Sequence, residues 1–181
     1  GVQAALITMA IKGEYESFKH STSSPKKLLK SLNNDFVQKF GAIHSFFSCI
    51  VVDIYPDRNK LIYASAGHPD QILQKKNWEI QNLSRTGKIM GLMKDIEFEE
   101  VEIPFERGDK LFLFTDGLFE EFNSNKEEFG EKQVLSIIKA YSDKDLKELF
   151  AVIMENLNSF LANASRQDDI TFIGIEHDYD K

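Results

Sequence analysis

The spacing of apolar and polar residues changes along the chain, and each change marks an element. The opening segment "VQAALITMA", from Val2, holds no helix breaker and sets Ala5, Leu6, Met9 and Ala10 on one side, which predicts a helix. "SSPKKLLKSL" announces a second helix, with Ser24 placed to cap it and Pro25 in its first turn. The pattern then turns to β. "SFFSCIVVDIY" (45–55) is β-branched and aromatic, "PDRN" (56–59) is turn chemistry, and "KLIYASA" alternates like the returning strand of a hairpin. Two short strands are expected near 70–75 and 78–83. "EFEEVEIPF" (97–105) alternates again, with Glu99 and Glu100 interrupting the period as a β-bulge does.

Leu111, Phe112, Leu113 and Phe114 are four apolar residues in a row, the pattern of a strand buried on both faces. That strand runs directly into Thr115, Asp116 and Gly117. Beyond it the period becomes helical. "EKQVLSIIKAY" spaces Val134, Leu135, Ile137, Ile138 and Tyr141 on one face. A longer amphipathic helix follows, capped by Ser142 or Asp143, with Leu146, Leu149, Phe150, Ile153, Leu157, Phe160 and Leu161 on one stripe. "DITFIGIE" closes the chain as a strand. Helices, then antiparallel hairpins, then helices and a last strand indicate an α+β fold, with antiparallel sheet covered by helices. No internal repeat, low-complexity stretch or linker divides residues 1–181, so a single domain is expected.

Composition narrows the function classes. The chain has 181 residues, of which 42% are apolar and 28% charged, an ordinary globular balance. Fifteen Phe supply large, rigid core side chains. The net charge is −7 with basic residues dispersed among acids, so the basic footprint of a nucleic-acid binder is missing. The balance suits a divalent cation or a basic partner. Cys49 is the sole cysteine, which excludes an internal disulfide and implies a reducing, cytoplasmic setting; in "FFSCIVV" it reads as a small buried hydrophobe. No apolar run reaches the length of a membrane span. The abrupt start inside a helix suggests a piece of something longer.

The candidate chemistry lies at two strand ends. Asp116 stands at the exit of the 111–114 strand, and Asp168 and Asp169 stand at the entrance of the last one. If those strands are antiparallel neighbours, the acidic ends share a rim. Crowded carboxylates repel unless a cation intervenes, and oxygen-only ligands favour Mg²⁺ or Mn²⁺ over zinc. A pair of such metals, about 3.5–4 Å apart, would orient and ionise a water for attack on phosphorus. The plainer alternative is that Asp116 caps a turn while Asp168 or Asp169 begins a strand. From these residues alone both readings stand.

The wider pattern favours the first. "GDKLFLFTDGLFE", "YASAGHP", "RTGKIMGL", "FGEKQVL" and "QDDITFI" together resemble the SpoIIE/RsbU branch of the metal-dependent PPM (type 2C) serine/threonine phosphatases, over nearly the whole chain. That resemblance implies two packed antiparallel sheets flanked by helices (an αββα sandwich). It carries over Asp116 and Asp168 as metal ligands, Gly117 as the residue that lets the chain turn beside the site, and Asp169 as a support that holds the loop by hydrogen bonding. It implies direct attack of metal-activated water on phosphoserine or phosphothreonine. The implied substrate is a small phosphoprotein of the anti-sigma-factor antagonist type, in a domain that follows a sensory or receiver domain.

One departure bears on activity. The family opens with an Asp-x-x-Gly-His-Gly segment, whose aspartate bridges two metals, and here the chain starts at or just after that segment's last glycine, at Gly1. The expectation is a phosphatase domain shortened at its N-terminus, holding half a site and turning over little by itself. The alternative is a non-catalytic binding module of the same fold. The apolar first helix would also suit pairing with a second copy.

Other candidates are weaker. His68 in "AGHPD" is placed for a general acid but reads as a turn residue, and His20, His44 and His177 make no ligand spacing with it or with Cys49. "TGKIMG" lacks the Gly-Lys-Ser/Thr ending of a P-loop and reads as a loop from which Arg85 or Lys88 would meet a phosphate. Ser45, Ser48 and Ser65 show no partner pattern for nucleophilic catalysis. Phe119 and Phe122 read as packing, and Arg166 as charge balance for the acidic pair. "FTDGL" lacks the second aspartate of an aspartyl-nucleophile phosphatase.

Overall fold

Straight-chain and alanine-rich residues without a breaker make α1, Val2–Phe18, and Pro25 in the first turn starts α2, Pro25–Phe40. These belong to a computed structural model that describes residues 2–22, 24–162 and 164–178. Gly1, where the expected upstream motif would end, lies outside the described residues. The chain divides into two compact units, one formed by Gly1–His68 with Ser84–Phe105, the other by Pro69–Leu83 with Glu106–Lys181.

In the first unit α2 is the main core helix, burying Leu28, Leu29, Leu32 and Phe36 at helical spacing. They pack with Ala64, Ala66, Met90, Ile96 and Phe98. The stripe of α1 differs from expectation. Leu6 and Met9 are 63% and 72% exposed, whereas Ile7, Ala10, Ile11, Glu14 and Phe18 are the half-buried set. A segment whose apolar residues are spread around the helix supports more than one stripe, and the one that is packed continues to Phe18, which reaches the core.

The N-terminus of α2 brings a second correction. Ser24 is the N-cap residue, but its side chain does not cap the helix. It donates to Glu100, whose Oε2 also accepts the Lys26 N–H at 3.3 Å, with Lys26 Nζ 3.6 Å from Oε1. A distant carboxylate thus satisfies an orphan N–H and meets the positive end of the helix dipole. Glu99 and Glu100 consequently form no bulge, and the strand expected over 97–105 shrinks to Val101–Pro104.

The sheet of this unit has the order β1-β2-β5. β1 (Cys49–Tyr55) and β2 (Lys60–Ala66) form the expected hairpin, pairing from Cys49↔Ala66 to Tyr55↔Lys60 across a 3₁₀ turn that ends at Asn59 with φ 48°. β1 begins four residues later than the pattern suggested, and Phe47 makes an isolated bridge to Met90 instead. β5 (Val101–Pro104) pairs antiparallel to β2.

The second unit holds the sheet β4-β3-β6-β7, all of its pairings antiparallel. β3 is Gln71–Gln74, β4 Ile80–Leu83, β6 Lys110–Phe114 and β7 Phe172–Glu176. β6 is hydrogen-bonded on both edges, which accounts for its continuous apolar run: Leu111, Phe112 and Phe114 are buried. α3 (Glu131–Ala140) and α4 (Leu146–Leu161) cover it with Val134, Ile137, Ile138, Leu149, Ile153 and Leu157. α4 begins three to four residues beyond the expected caps. Its N-cap is Asp145, whose side chain accepts the Glu148 N–H at 2.7 Å. Lys110 and Gln74, opposite each other across the sheet, reach the α3–α4 connection, donating to the carbonyls of Lys144 (2.6 Å) and Ser142 (2.9 Å). Two buried polar side chains thereby hold this loop.

Candidate metal-binding strand ends

β6 and β7 are antiparallel neighbours, with Phe114 opposite Phe172, so the end of one and the beginning of the other meet at one edge. The pairing continues past the strands. Thr115 N–H donates to the Thr171 carbonyl at 3.0 Å, and Thr171 N–H donates to the Thr115 hydroxyl oxygen at 3.0 Å. Asp116 then opens a 3₁₀ turn, Asp116–Leu118, whose last residues are pinned: Leu118 is fully buried and Phe119 nearly so, edge-on to Phe114. A rigid strand followed by a buried turn leaves Asp116 exposed on a fixed base.

Gly117 meets the partner loop. A Cβ at this position would stand 2.5 Å from the Asp169 carbonyl oxygen and 3.5 Å from the Asp168 Cβ. No side chain fits there, and the Asp116 turn and the Asp168 loop are in main-chain contact because of it. The two aspartates are arranged alike. Asp116 Oδ1 accepts the Gly117 N–H at 3.0 Å, and Asp168 Oδ1 accepts the Asp169 N–H at 2.8 Å. Each carboxylate is held by its own next amide and is otherwise exposed. Asp169 contributes its main chain, the N–H to Asp168 and the carbonyl to the Thr115 hydroxyl at 3.5 Å.

Two residues that the sequence pattern did not single out hold these ends in place. Gln71 is fully buried; its amide nitrogen donates to the Phe114 carbonyl at 3.2 Å and its oxygen accepts the Phe114 N–H at 2.5 Å. The side chain extends the sheet ladder beyond the last β3–β6 pair and fixes the backbone two residues before Asp116. Glu121 is also fully buried, and its carboxylate accepts the main-chain N–H of Gln167 at 3.1 and 3.2 Å and of Asp168 at 3.4 Å. The only local hint was an acidic residue amid a phenylalanine-rich stretch.

The donor set fits a hard divalent cation: carboxylate oxygens oriented by backbone amides, with no nitrogen or sulfur. Among the described residues no group of three or more His, Cys, Asp or Glu is close enough to form a complete cage. His68 Nδ1 is 3.0 Å from the Ser48 hydroxyl, in the first unit, which also contains Arg85 and Lys88. Arg166 donates to Asn158 at 2.9 Å rather than to the aspartates. Phe122 bridges to Glu128 in a short turn. Burial pushes the Cys49 thiol up to about 11, which fits an inert core thiol.

Comparison with known proteins places this geometry in context. The profile of the family described as Stage II sporulation protein E (SpoIIE) matches residues 1–178. "Phosphoserine phosphatase RsbU" of Bacillus subtilis (strain 168) is 28% identical over 175 residues, covering 96% of this chain and 51% of the relative. The chain therefore spans about half the length of that protein. Among solved structures, the SiaA-PP2C domain of Pseudomonas aeruginosa superposes with a TM-score of 0.85 at 20% identity, over 97% of this chain and 71% of that one. RsbX in complex with magnesium superposes with a TM-score of 0.68 at 19% identity, over 96% and 74%. The fold is that of the PP2C phosphatase domains, the α+β class expected from the sequence. No helix among the described residues is long and apolar enough to cross a membrane.

Proposed function

The chain belongs to the SpoIIE family, and from that premise we propose that it is the phosphatase domain of a cytoplasmic signalling regulator, hydrolysing phosphoserine or phosphothreonine on a protein substrate. The observation that carries the reading is the main-chain contact at Gly117, which brings Asp116 and Asp168 to one edge as a matched pair of amide-oriented carboxylates. Asp116 and Asp168 would hold Mn²⁺ or Mg²⁺, with Gly117 and Asp169 shaping the loops around them. Bound there, divalent ions supply an acidified water and charge neutralisation for the phosphoryl group. The chain's own part is to fix two anionic ligands on rigid strand ends, so that no reorganisation is needed when the ion or the phosphate arrives.

The substrate in this reading is a small phosphoprotein of the anti-sigma-factor antagonist type, supported by the likeness to a phosphoserine phosphatase. The domain would follow a sensory or receiver domain and work in a larger chain, in which an Asp-x-x-Gly-His-Gly segment completes the site. Pairing with a second copy through the exposed Leu6 and Met9 of α1 belongs to the same reading. A purely binding module would not require two carboxylates in the same pose, so that alternative is the less favoured.

The test is phosphate release from such a phosphoprotein in Mn²⁺. It compares this chain, the chain preceded by an Asp-x-x-Gly-His-Gly segment, and that longer form carrying Asp116→Asn. Turnover confined to the unmutated longer form supports the enzyme. Silence in every form, on a phosphoprotein that another phosphatase hydrolyses, transfers the assignment to the binding module.

A further inference from the structure

We propose that Glu121 is a positioning residue that sets the spacing between Asp116 and Asp168; this rests on the metal-binding reading above. A fully buried carboxylate is costly unless its oxygens are hydrogen-bonded. Among the described residues Glu121 has no cationic partner, and what it receives is a pair of consecutive main-chain N–H groups, those of Gln167 and Asp168. The following amide, Asp169 N–H, goes to Asp168 Oδ1. Three successive amides of the loop are thus committed to carboxylates, which fixes the backbone from which the Asp168 side chain projects.

The anchor lies on the segment that carries the other ligand. From Asp116 the chain makes one 3₁₀ turn, buries Leu118 and Phe119, and reaches Glu121. Phe129 N–H donates to the Glu121 carbonyl at 2.8 Å and Gly130 N–H to the Phe119 carbonyl at 2.9 Å, bracing this segment from the far side. One short strut therefore presents Asp116 at its start and grips the Asp168 loop at its end. Geometry at the metal is then determined within a single piece of chain rather than by two independently moving loops. A carboxylate is suited to the grip because it only accepts, whereas an amide side chain would direct a donor at one of the N–H groups.

Mn²⁺ binding to the intact chain, read by the electron paramagnetic resonance signal of free Mn²⁺, tests the proposal with Glu121→Gln, Asp116→Asn and Asp109→Asn. Asp109 is the control, a buried carboxylate in the same unit that accepts the Glu106 and Lys76 N–H groups at 2.8 and 2.9 Å and pairs with Lys75. E121Q is expected to weaken Mn²⁺ about 10-fold or more, the scale of a lost supporting contact to a ligand. D109N should lower the unfolding temperature in EDTA yet leave Mn²⁺ affinity as it is. Wild-type affinity in a folded E121Q chain overturns the positioning role, as does equal weakening in D109N. If E121Q does not fold, Gln167→Pro removes one gripped N–H while leaving the buried carboxylate in place, and the same loss is expected. Failure of Mn²⁺ to bind either the wild-type chain or the chain preceded by an Asp-x-x-Gly-His-Gly segment instead refutes the metal reading on which the role depends.

Discussion

Gly117 lies so close to Asp169 that a single added methyl group would overlap its carbonyl oxygen, at 2.5 Å. The obstructing atom is backbone in a loop already held by Glu121, Thr115 and Thr171, so it cannot swing aside as the tip of a side chain would. Gly117→Ala should therefore destabilise the fold by about 1–3 kcal/mol, the usual cost of overpacking, and separate the two aspartates. Urea unfolding checks the first effect and Mn²⁺ titration the second. A stable variant with wild-type Mn²⁺ affinity would show that the contact is looser than the structure indicates.

The proposed metal ligands couple ion binding to stability. A ligand that binds only the folded chain stabilises it by about 2.7 kcal/mol at 100 times its dissociation constant. Mn²⁺ should raise the unfolding temperature of the wild-type chain and not that of Asp116→Asn or Asp168→Asn. In EDTA that metal-dependent difference should vanish. Thermal scans with and without metal separate the two conditions in one experiment.

The junction of β1, α2 and the loop before β5 sets a pH dependence in the first unit. Asp53 is raised by burial and by the charge of Glu100. Burial pushes Glu100 upward too, but the Ser24 hydroxyl and the Lys26 N–H and ammonium outweigh it, so Glu100 ends below its ordinary value. Glu100 thus contributes stability above the usual glutamate range, lost as pH falls through its depressed folded value. Asp53 works the other way. Its charged form is penalised at neutral pH, and that penalty disappears as pH falls through its raised value. Asp53→Asn should raise the unfolding temperature slightly at pH 7, with no gain at pH 3. Glu100→Gln should lower it at pH 7 and converge with wild type in acid.

Cys49 gives an independent check on the core. A thiol raised from 9.0 to about 11 carries roughly 100-fold less thiolate at pH 8. Its reaction with a disulfide reagent in the native chain should be slower than that of free cysteine by at least about that factor, recovering in denaturant. Fast native reaction would mean that β1 is not packed as described.

What could be read from the sequence follows from the range of the interactions concerned. The β1–β2 hairpin, the buried β6 and the acidic strand ends were legible because period, turn residues and local order determine them. The features that were missed depend on contacts far along the chain. Glu100 looked like part of a strand because its partner, the N-terminus of α2, is 74 residues away at Lys26. Glu121 and Gln71 carry little local signature, since the site backbone that each holds is 43 or more residues distant. The start of α4 was a different kind of miss. Asp145 and Glu148 form an Asp-x-x-Glu capping pattern that was present in the sequence, and the nearer Ser142 and Asp143 merely competed with it. The stripe of α1 stayed ambiguous because its polar residues, among them Thr8, Lys12 and Glu14, do not gather on one face.

The central claim, proposed above, is that Asp116 and Asp168 are ligands of a divalent-ion site at the two strand ends. Anomalous diffraction at the manganese edge, from crystals of the chain soaked in Mn²⁺, tests it most directly. The account predicts manganese density within bonding distance, about 2.1 Å, of a carboxylate oxygen of Asp116 and of Asp168, through one ion or two, with the Glu121 grip on Gln167 and Asp168 retained. A manganese peak held by other residues, or soaked crystals in which the two carboxylates stay unliganded, would contradict it.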